Sequence, residues 1–252
     1  MLARQQHSEI PLINDIALRV SEISSQLAGQ VHGVNRQIHH RQIDRPSPRC
    51  HSMNLESLQT IATMVAQQRS VNAVLGLIVE SLVDSSDLAL ARIWLTRPGD
   101  ICHECPLLRD CPDHTSCLHH VATAARPLNP ESGNDWYRTD GFYRRFPLGI
   151  RRIGIIGATG NSQKLSQAAD DPEWFARDNW LRREGVMSFL GHPLKFMNEI
   201  LGVLAVFSRS AVSDQEFAWL RVFADSAAVA IANATAFEEI ESLRKRLEQE
   251  NE

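Results

Sequence analysis

Four of the five cysteines lie within sixteen consecutive residues, with the spacing C-x2-C-x5-C-x5-C. They are Cys102, Cys105, Cys111 and Cys117, whereas Cys50 lies far upstream. Four thiols this close in sequence can be the ligands of a metal centre, two disulfides or a chance grouping. Thiolates that share a metal centre must point towards one common position, which requires a flexible loop that can surround the metal. Pro106 and Pro112 indicate such a loop.

The composition limits the choice among these alternatives. The chain has 252 residues, of which 43% are hydrophobic and 22% charged, so it can bury a core without disulfides. A net charge of −4 does not favour nucleic-acid binding. No apolar run is long enough for a transmembrane helix, and Glu9 and Asp15 interrupt any signal-peptide core. We therefore expect a cytoplasmic protein with no membrane contact, where clustered cysteines are more often metal ligands or redox centres than disulfides.

The N-terminal part of the chain has helical periodicity. Within residues 1–45, apolar side chains recur every three or four positions from Ile13 to Ile38. This near-heptad spacing predicts an amphipathic helix suited to self-association. Pro46 and Pro48 cannot continue a helix, so residues 46–53 are interpreted as a linker.

Residues 54–236 are predicted to form one α+β domain with a central antiparallel sheet flanked by helices. Two helical segments precede a strand at 88–96, and the cysteine-rich segment 101–120 is expected as an insert before a short strand at 120–125. Two apolar strands at 188–196 and 200–208 form a hairpin. Ser213 and Glu216 make a capping box for a long helix, which continues through residues 237–252 as the start of a coiled coil.

Several enzyme chemistries lack their motifs in this sequence. The glycines of residues 149–160 are not followed by the Lys-Ser/Thr pair of a phosphate loop, so a short helix with a glycine end is expected instead. No nucleophile–base pair and no H-E-x-x-H motif is found. We therefore expect no catalytic activity and no direct nucleic-acid binding.

The order of elements, with four stretches of sequence, resembles a GAF domain, the small-ligand sensor related to PAS domains. The stretches are 157–160 (GATG), 171–174 (DPEW), 183–194 (REGVMSFLGHPL) and 201–208 (LGVLAVFS). The resemblance covers roughly residues 54–237. It implies a GAF/PAS-like sheet, with long helices entering and leaving the domain.

The cysteine segment resembles an insert of a subset of bacterial GAF domains, found at the N-terminus of sigma-54-dependent transcriptional activators and of some sensor histidine kinases. That insert is associated with an iron–sulfur cluster, which implies a [4Fe–4S] group on Cys102, Cys105, Cys111 and Cys117. Structural zinc is the alternative, although zinc sites usually present two separate C-x2-4-C knuckles. The function expected is sensing of redox state, oxygen or nitric oxide. A homodimer through the terminal helices would pass the signal to a transcription or kinase output on another domain or partner protein.

A second function remains open, a small-molecule-binding GAF module in which zinc is only structural. Aromatic side chains around residues 127–146 and in a following helix are the candidates for such a ligand pocket: Trp136, Tyr137, Phe142, Tyr143 and Trp174.

Overall fold

The computed structural model describes residues 55–85, 87–112, 114–128, 137–168 and 180–250. The expected N-terminal helix and linker lie outside these residues, as do Cys50, Trp136 and Trp174.

The domain is built on one six-stranded antiparallel sheet with the strand order β3-β2-β1-β6-β5-β4. The strands are β1 (Leu88–Pro98), β2 (Ser116–Ala125), β3 (Arg145–Pro147), β4 (Gln163–Leu165), β5 (Ser188–Phe196) and β6 (Glu199–Ser208). β5 and β6 form the hairpin expected from the sequence, with Phe196 paired to Glu199 across the turn. The short strands β3 and β4 were not expected, because three-residue strands have no periodicity to reveal them.

Within the described residues, five helices accompany the sheet: α1 (Leu55–Ala66), α2 (Val71–Ser85), α3 (Arg151–Thr159), α4 (Trp180–Arg183) and α5 (Asp214–Glu250). α3 is the short helix expected in the glycine-rich segment. It ends at Gly160, whose φ of +66° is the left-handed conformation of a helix C-cap, and its N–H bonds to Ile156 O at 2.8 Å.

The sheet is buried on both faces. Along β1, Ile93 and Leu95 pack in the core that contains α1, α2 and α5, while Leu90 and Trp94 join the core on the opposite face with α3. This alternation is the two-residue period of a strand. A register irregularity between Leu88 and Leu90 shifts the strand, so Ala89 lies in the α3 core and not in the core that contains Ile93.

β2 begins at Ser116, four residues before the expected start at His120. Its first residues pair with the end of β1 and with β3: Cys117 lies opposite Arg97 on one side and Pro147 on the other. These two ladders extend the strand into the cysteine segment. Cys117 is therefore a strand residue, while the other three cysteines of the segment lie in the connection between β1 and β2.

α5 leaves the domain as one helix of 37 residues. The expected capping box is present: Glu216 N–H donates to Ser213 Oγ at 3.2 Å, and Ser213 N–H donates to Glu216 Oε2 at 2.8 Å. An 18-residue window of α5 has a mean hydropathy of 1.2, which by length and composition alone would suffice to span a membrane. Since 44% of that window is buried in the domain, α5 also fits the core helix of a soluble fold.

Candidate functional site

All four cysteines of the segment line one recess at the edge of the sheet. It is formed by the turn after β1, the connection that follows, the start of β2 and β3. Its empty volume is about 320 Å³, including a mouth open to solvent. Each of the four residues is a free thiol of intermediate exposure, so the recess is reachable by small solutes.

Two short 3-10 turns shape the connection and present three of the thiols. The first covers Cys102–Glu104 and brings Cys105 N–H to Cys102 O at 3.4 Å. The second covers Leu108–Asp110 and brings Cys111 N–H to Leu108 O at 3.2 Å. Between the turns, Leu107 is only 4% exposed and packs in the core on the α3 side of the sheet. This one buried side chain anchors the connection to the folded domain.

Gly99 closes the recess on the β1 side. Its N–H donates to Thr115 O at 2.9 Å, which joins the two ends of the connection. A Cβ at this position would lie 2.9 Å from His114 O and 3.0 Å from Cys102 Sγ. The Cys102 thiol itself donates to His114 O at 3.6 Å. The thiol thus occupies the space that any larger residue at position 99 would need.

Cys117 lies at the start of β2 and is partly buried. Burial raises the pKa of its thiol to about 11, while the positive charge of Arg145 acts in the opposite direction. At neutral pH the free thiol is protonated, so a metal that binds here must displace its proton. Because Cys102 and Cys105 also raise this pKa, their sulfurs lie within electrostatic range of Cys117.

An arginine–aspartate pair forms one wall of the recess. Arg145 Nε and Nη2 donate to the two carboxylate oxygens of Asp100 at 2.8 and 2.5 Å. These hydrogen bonds lower the pKa of Asp100 to about 2. His119 Nε2 lies 3.7 Å from Asp100 Oδ1 and is buried without a hydrogen-bond partner in the described part of the chain. Burial lowers the pKa of His119, which favours the neutral ring.

The thiols surround the recess without gathering at one point. Among the described residues, no three His, Cys, Asp or Glu side chains are placed to hold a single metal ion. A tetrahedral zinc site would require four sulfurs at about 2.3 Å from one ion. The donor set, four thiols on one connection and one strand, nevertheless matches the ligands of an iron–sulfur cluster.

The three described aromatic candidates do not line this recess. Tyr143 accepts a hydrogen bond from Trp94 Nε1 on its carbonyl at 3.0 Å and stacks on Phe146 at 5.7 Å between ring centroids. Phe142 packs edge-on against Tyr143. Tyr137 is 53% exposed and donates its hydroxyl to Ala125 O at 3.0 Å. These contacts pack Phe142 and Tyr143 on the sheet and tie Tyr137 to the end of β2.

Sequence reasoning missed Gly99, Asp100 and Arg145, which also line the recess. A weak signal existed for Gly99 and Asp100, which directly precede the first cysteines in a turn. Nothing in the sequence connects Arg145 with them, since 45 residues separate it from Asp100.

The GAF domain family model matches residues 70–231, more than half of the chain. A similar solved structure is the GAF domain of a phosphoenolpyruvate-protein phosphotransferase from Coxiella burnetii. It is 22% identical with a TM-score of 0.50, over 72% of this chain and 94% of that one. Free methionine-R-sulfoxide reductase from Neisseria meningitidis, solved with its substrate, is 13% identical with a TM-score of 0.52, over 78% and 99%. Among curated proteins, none matches this chain.

At these identities the solved structures support the fold and not a shared activity. The six-stranded antiparallel sheet, its flanking helices and the long exit helix agree with the match over residues 70–231. The chain therefore belongs to the GAF domain family, a family of regulatory sensor modules.

Proposed function

We propose that this GAF domain is a sensor whose four cysteines hold an iron–sulfur cluster, most simply [4Fe–4S]. The observation that carries the proposal is the lining of one recess by Cys102, Cys105, Cys111 and Cys117. Loss of one thiol would remove a ligand that no other described cysteine can replace. When bound, the cluster would supply a group that reacts with oxidants, oxygen or nitric oxide.

The spacing of the thiols favours a cluster over zinc. Structural zinc sites usually present two separate C-x2-4-C knuckles, whereas this segment has one such knuckle, Cys102 and Cys105, and two single cysteines. Four thiolates from one contiguous segment are typical of small iron–sulfur sites. The intermediate exposure of all four cysteines leaves the bound group open to small reactants.

A contiguous set of elements leads from the recess to the exit helix. The recess is bordered by β1 and β2, and α2 packs across both strands. At its N-terminus, α2 is bound to α5, because Val71 N–H donates to Glu238 Oε1 at 2.8 Å. Arg69 lies 5.3 Å above the ring of Phe237 at the same place. We propose that a structural change in the recess reaches α5 through α2. Packed secondary-structure elements that can switch between two packing arrangements transmit a signal in this way.

We also propose that α5 pairs with α5 of a second copy. Positions spaced 4, 3, 4, 3, 4, 3 and 4 form one seam along the helix: Val222, Ser226, Val229, Asn233, Ala236, Ile240, Leu243 and Leu247. Ile240, Leu243 and Leu247 are 57%, 55% and 59% exposed, which is costly for an isolated helix. In the heptad repeat, Asn233 takes an a position. A single polar residue at such a position selects the register and the number of helices in a coiled coil.

The charges beside this seam fit a parallel pair. Glu239 and Arg244 take successive g and e positions, which face each other across a parallel two-stranded coiled coil. In the single chain Arg244 donates instead to Glu248 at 2.9 Å. The proposed partner is therefore an identical chain in register, and the output is a transcription or kinase domain on the same or another polypeptide. The proposed location is the cytoplasm, which keeps the four thiols reduced.

The experiment that tests the cluster is anaerobic purification with metal analysis. We expect a brown protein with broad absorption near 400 nm, containing iron and sulfide. Single substitutions Cys102→Ser, Cys105→Ser, Cys111→Ser and Cys117→Ser should each reduce the absorption, while Cys50→Ser, outside the segment, should leave it unchanged. A colourless anaerobic protein with stoichiometric zinc would contradict the cluster. It would favour the small-molecule-binding module with structural zinc.

A further inference from the structure

Arg145 has a defined position relative to the four cysteines. It begins β3, where it pairs with His119 of β2, and two residues later Pro147 pairs with Cys117. The same sheet edge therefore fixes both the arginine and the one thiol of the recess that belongs to a strand. The Arg145 side chain is only 16% exposed, so its charge is partly removed from water.

Three hydrogen bonds hold the guanidinium in one orientation. Two go to Asp100, at 2.8 Å from Nε and 2.5 Å from Nη2, and the third goes from Nη1 to Arg144 O at 2.8 Å. A bidentate arginine–carboxylate pair has more directional restraint than a single contact. Asp100 in turn belongs to the turn after β1 that borders the recess. The pair thus joins β3 to β1 across the site.

The recess needs a positive charge when its thiols are deprotonated. Four thiolates carry four negative charges and a divalent ion cancels only two of them, so the occupied site stays negative in surroundings partly shielded from water. A positive charge beside it therefore stabilises the bound state. Arg145 is the only arginine or lysine among the described residues that line the recess. Its charge acts on Cys117 and Cys105, and Asp100 acts on Cys117 with the opposite sign.

We propose that Arg145, held in place by Asp100, is the counter-charge of the four-cysteine recess and sets both its affinity for metal and the reduction potential of its cluster. The potential rests on the proposed cluster, whereas the affinity requires only that the four thiols bind a metal. Arg145 is a positioning residue here: it stabilises the thiolate ligands without being one of them.

The first test uses Co²⁺ with the full-length metal-free protein, because Co²⁺ on thiolates absorbs in the near ultraviolet and visible range. We expect Arg145→Gln to weaken Co²⁺ binding about 10-fold, in the range typical for residues next to metal ligands. Arg145→Lys retains the charge and should recover most of the affinity. Asp100→Asn removes a negative charge while its Oδ1 still accepts from Arg145 Nε, so the guanidinium stays in place and binding should strengthen.

The second test measures the reduction potential of the reconstituted cluster by titration with dithionite and mediator dyes. Each cluster accepts one electron, so the site becomes more negative by one charge. Arg145→Gln should disfavour this reduction about tenfold, which for one electron is a decrease of about 59 mV. Asp100→Asn should move the potential upward, and Arg145→Lys should remain close to the wild type.

Arg138→Gln provides the matched control for both measurements. Arg138 also forms a bidentate pair, with Asp140 at 2.8 and 3.2 Å, but neither residue lines the recess. Its substitution should change neither quantity.

The opposite signs expected for Arg145→Gln and Asp100→Asn separate an electrostatic role from a structural one. If both substitutions weaken Co²⁺ binding and lower the potential, loosening of the β1–β3 contact explains them and the proposal is overturned. Folded Arg145→Gln protein with wild-type affinity would overturn it as well. If the wild-type protein forms no cluster, the proposed function fails, and the Co²⁺ affinities still decide the role of Arg145. Wild-type protein that binds no Co²⁺ would overturn the role of Arg145 as a counter-charge for metal.

Discussion

The backbone N–H of Val71, in the first turn of α2, donates a 2.8 Å hydrogen bond to Oε1 of Glu238, 167 residues further along the chain. The first N–H groups of a helix have no partner within the helix, and a carboxylate at that end also interacts favourably with the helix dipole. Glu238 therefore caps α2 from the exit helix. In sequence, this contact lies between Ala236 and Ile240 of the α5 seam.

Replacing Glu238 by alanine should destabilise the domain by about 1 kcal/mol, the usual cost of losing a helix cap. Glu238→Gln keeps an acceptor oxygen and should cost less. The measurement is the free energy of unfolding in urea, with Glu241→Ala, three residues further along the same helix, as the control. Equal stabilities of Glu238→Ala and Glu241→Ala would show that the contact contributes nothing.

Gly99→Ala should impair metal binding while preserving the fold. The new Cβ would lie 3.0 Å from Cys102 Sγ and 2.9 Å from His114 O, so the thiol must leave its position. Gly141→Ala is the matched control, since its Cβ would meet no atom within 4 Å. We expect lower Co²⁺ affinity and less cluster absorption for Gly99→Ala alone. Wild-type binding by this variant would mean that the Cys102 position in the recess is not required.

His192 should make the domain less stable in acid. The residue is fully buried on β5, its Nδ1 lies 2.9 Å from Ser162 Oγ, and its ring packs on Phe217 at 4.5 Å. Burial, with a smaller contribution from the positive charge of Arg221, lowers its pKa to about 4. The unfolded chain, with a pKa of about 6.5, therefore binds the proton first as pH falls.

The stability due to neutral His192 is thus fully present above about pH 6.5 and is lost as the pH falls towards 4. One pKa unit corresponds to about 1.4 kcal/mol, so the loss approaches about 3 kcal/mol. Urea unfolding of the wild type and of His192→Asn between pH 7.5 and 4.5 checks this. The variant should be less stable at pH 7.5 but should lose less stability in acid. Parallel pH profiles would exclude His192 as the titrating group.

Association of two chains should depend on the exposed seam of α5. Ile240→Asp places a charge at an a position and should shift the protein towards monomer in sedimentation or light scattering. Lys245→Asp changes charge on the outer side of the same helix and should leave the oligomeric state unchanged. If the wild type is monomeric at micromolar concentration, the α5 pairing is excluded. If Ile240→Asp remains dimeric, another surface holds the dimer.

Much of the architecture could be predicted because it rests on local patterns. α1, α2, β1 and the β5–β6 hairpin occur at the expected positions, and Ser213 and Glu216 form the expected cap. β3 and β4 could not be predicted, because they exist only through pairing with β2 and β5. The displaced start of β2 has the same cause, since a strand end depends on its neighbours.

The sequence by itself determined the type, number and close spacing of the four thiols, and the α+β order of elements around them. Only the tertiary structure decided that these thiols share one recess, that Cys117 belongs to a strand, and that Arg145 and Asp100 form the wall. Covalent spacing limits how far apart the cysteines can lie. The positive charge beside the thiols belongs to Arg145, which is 45 residues from Asp100 in sequence. Its position is set by the pairing of β2 and β3, a long-range contact that no local pattern encodes.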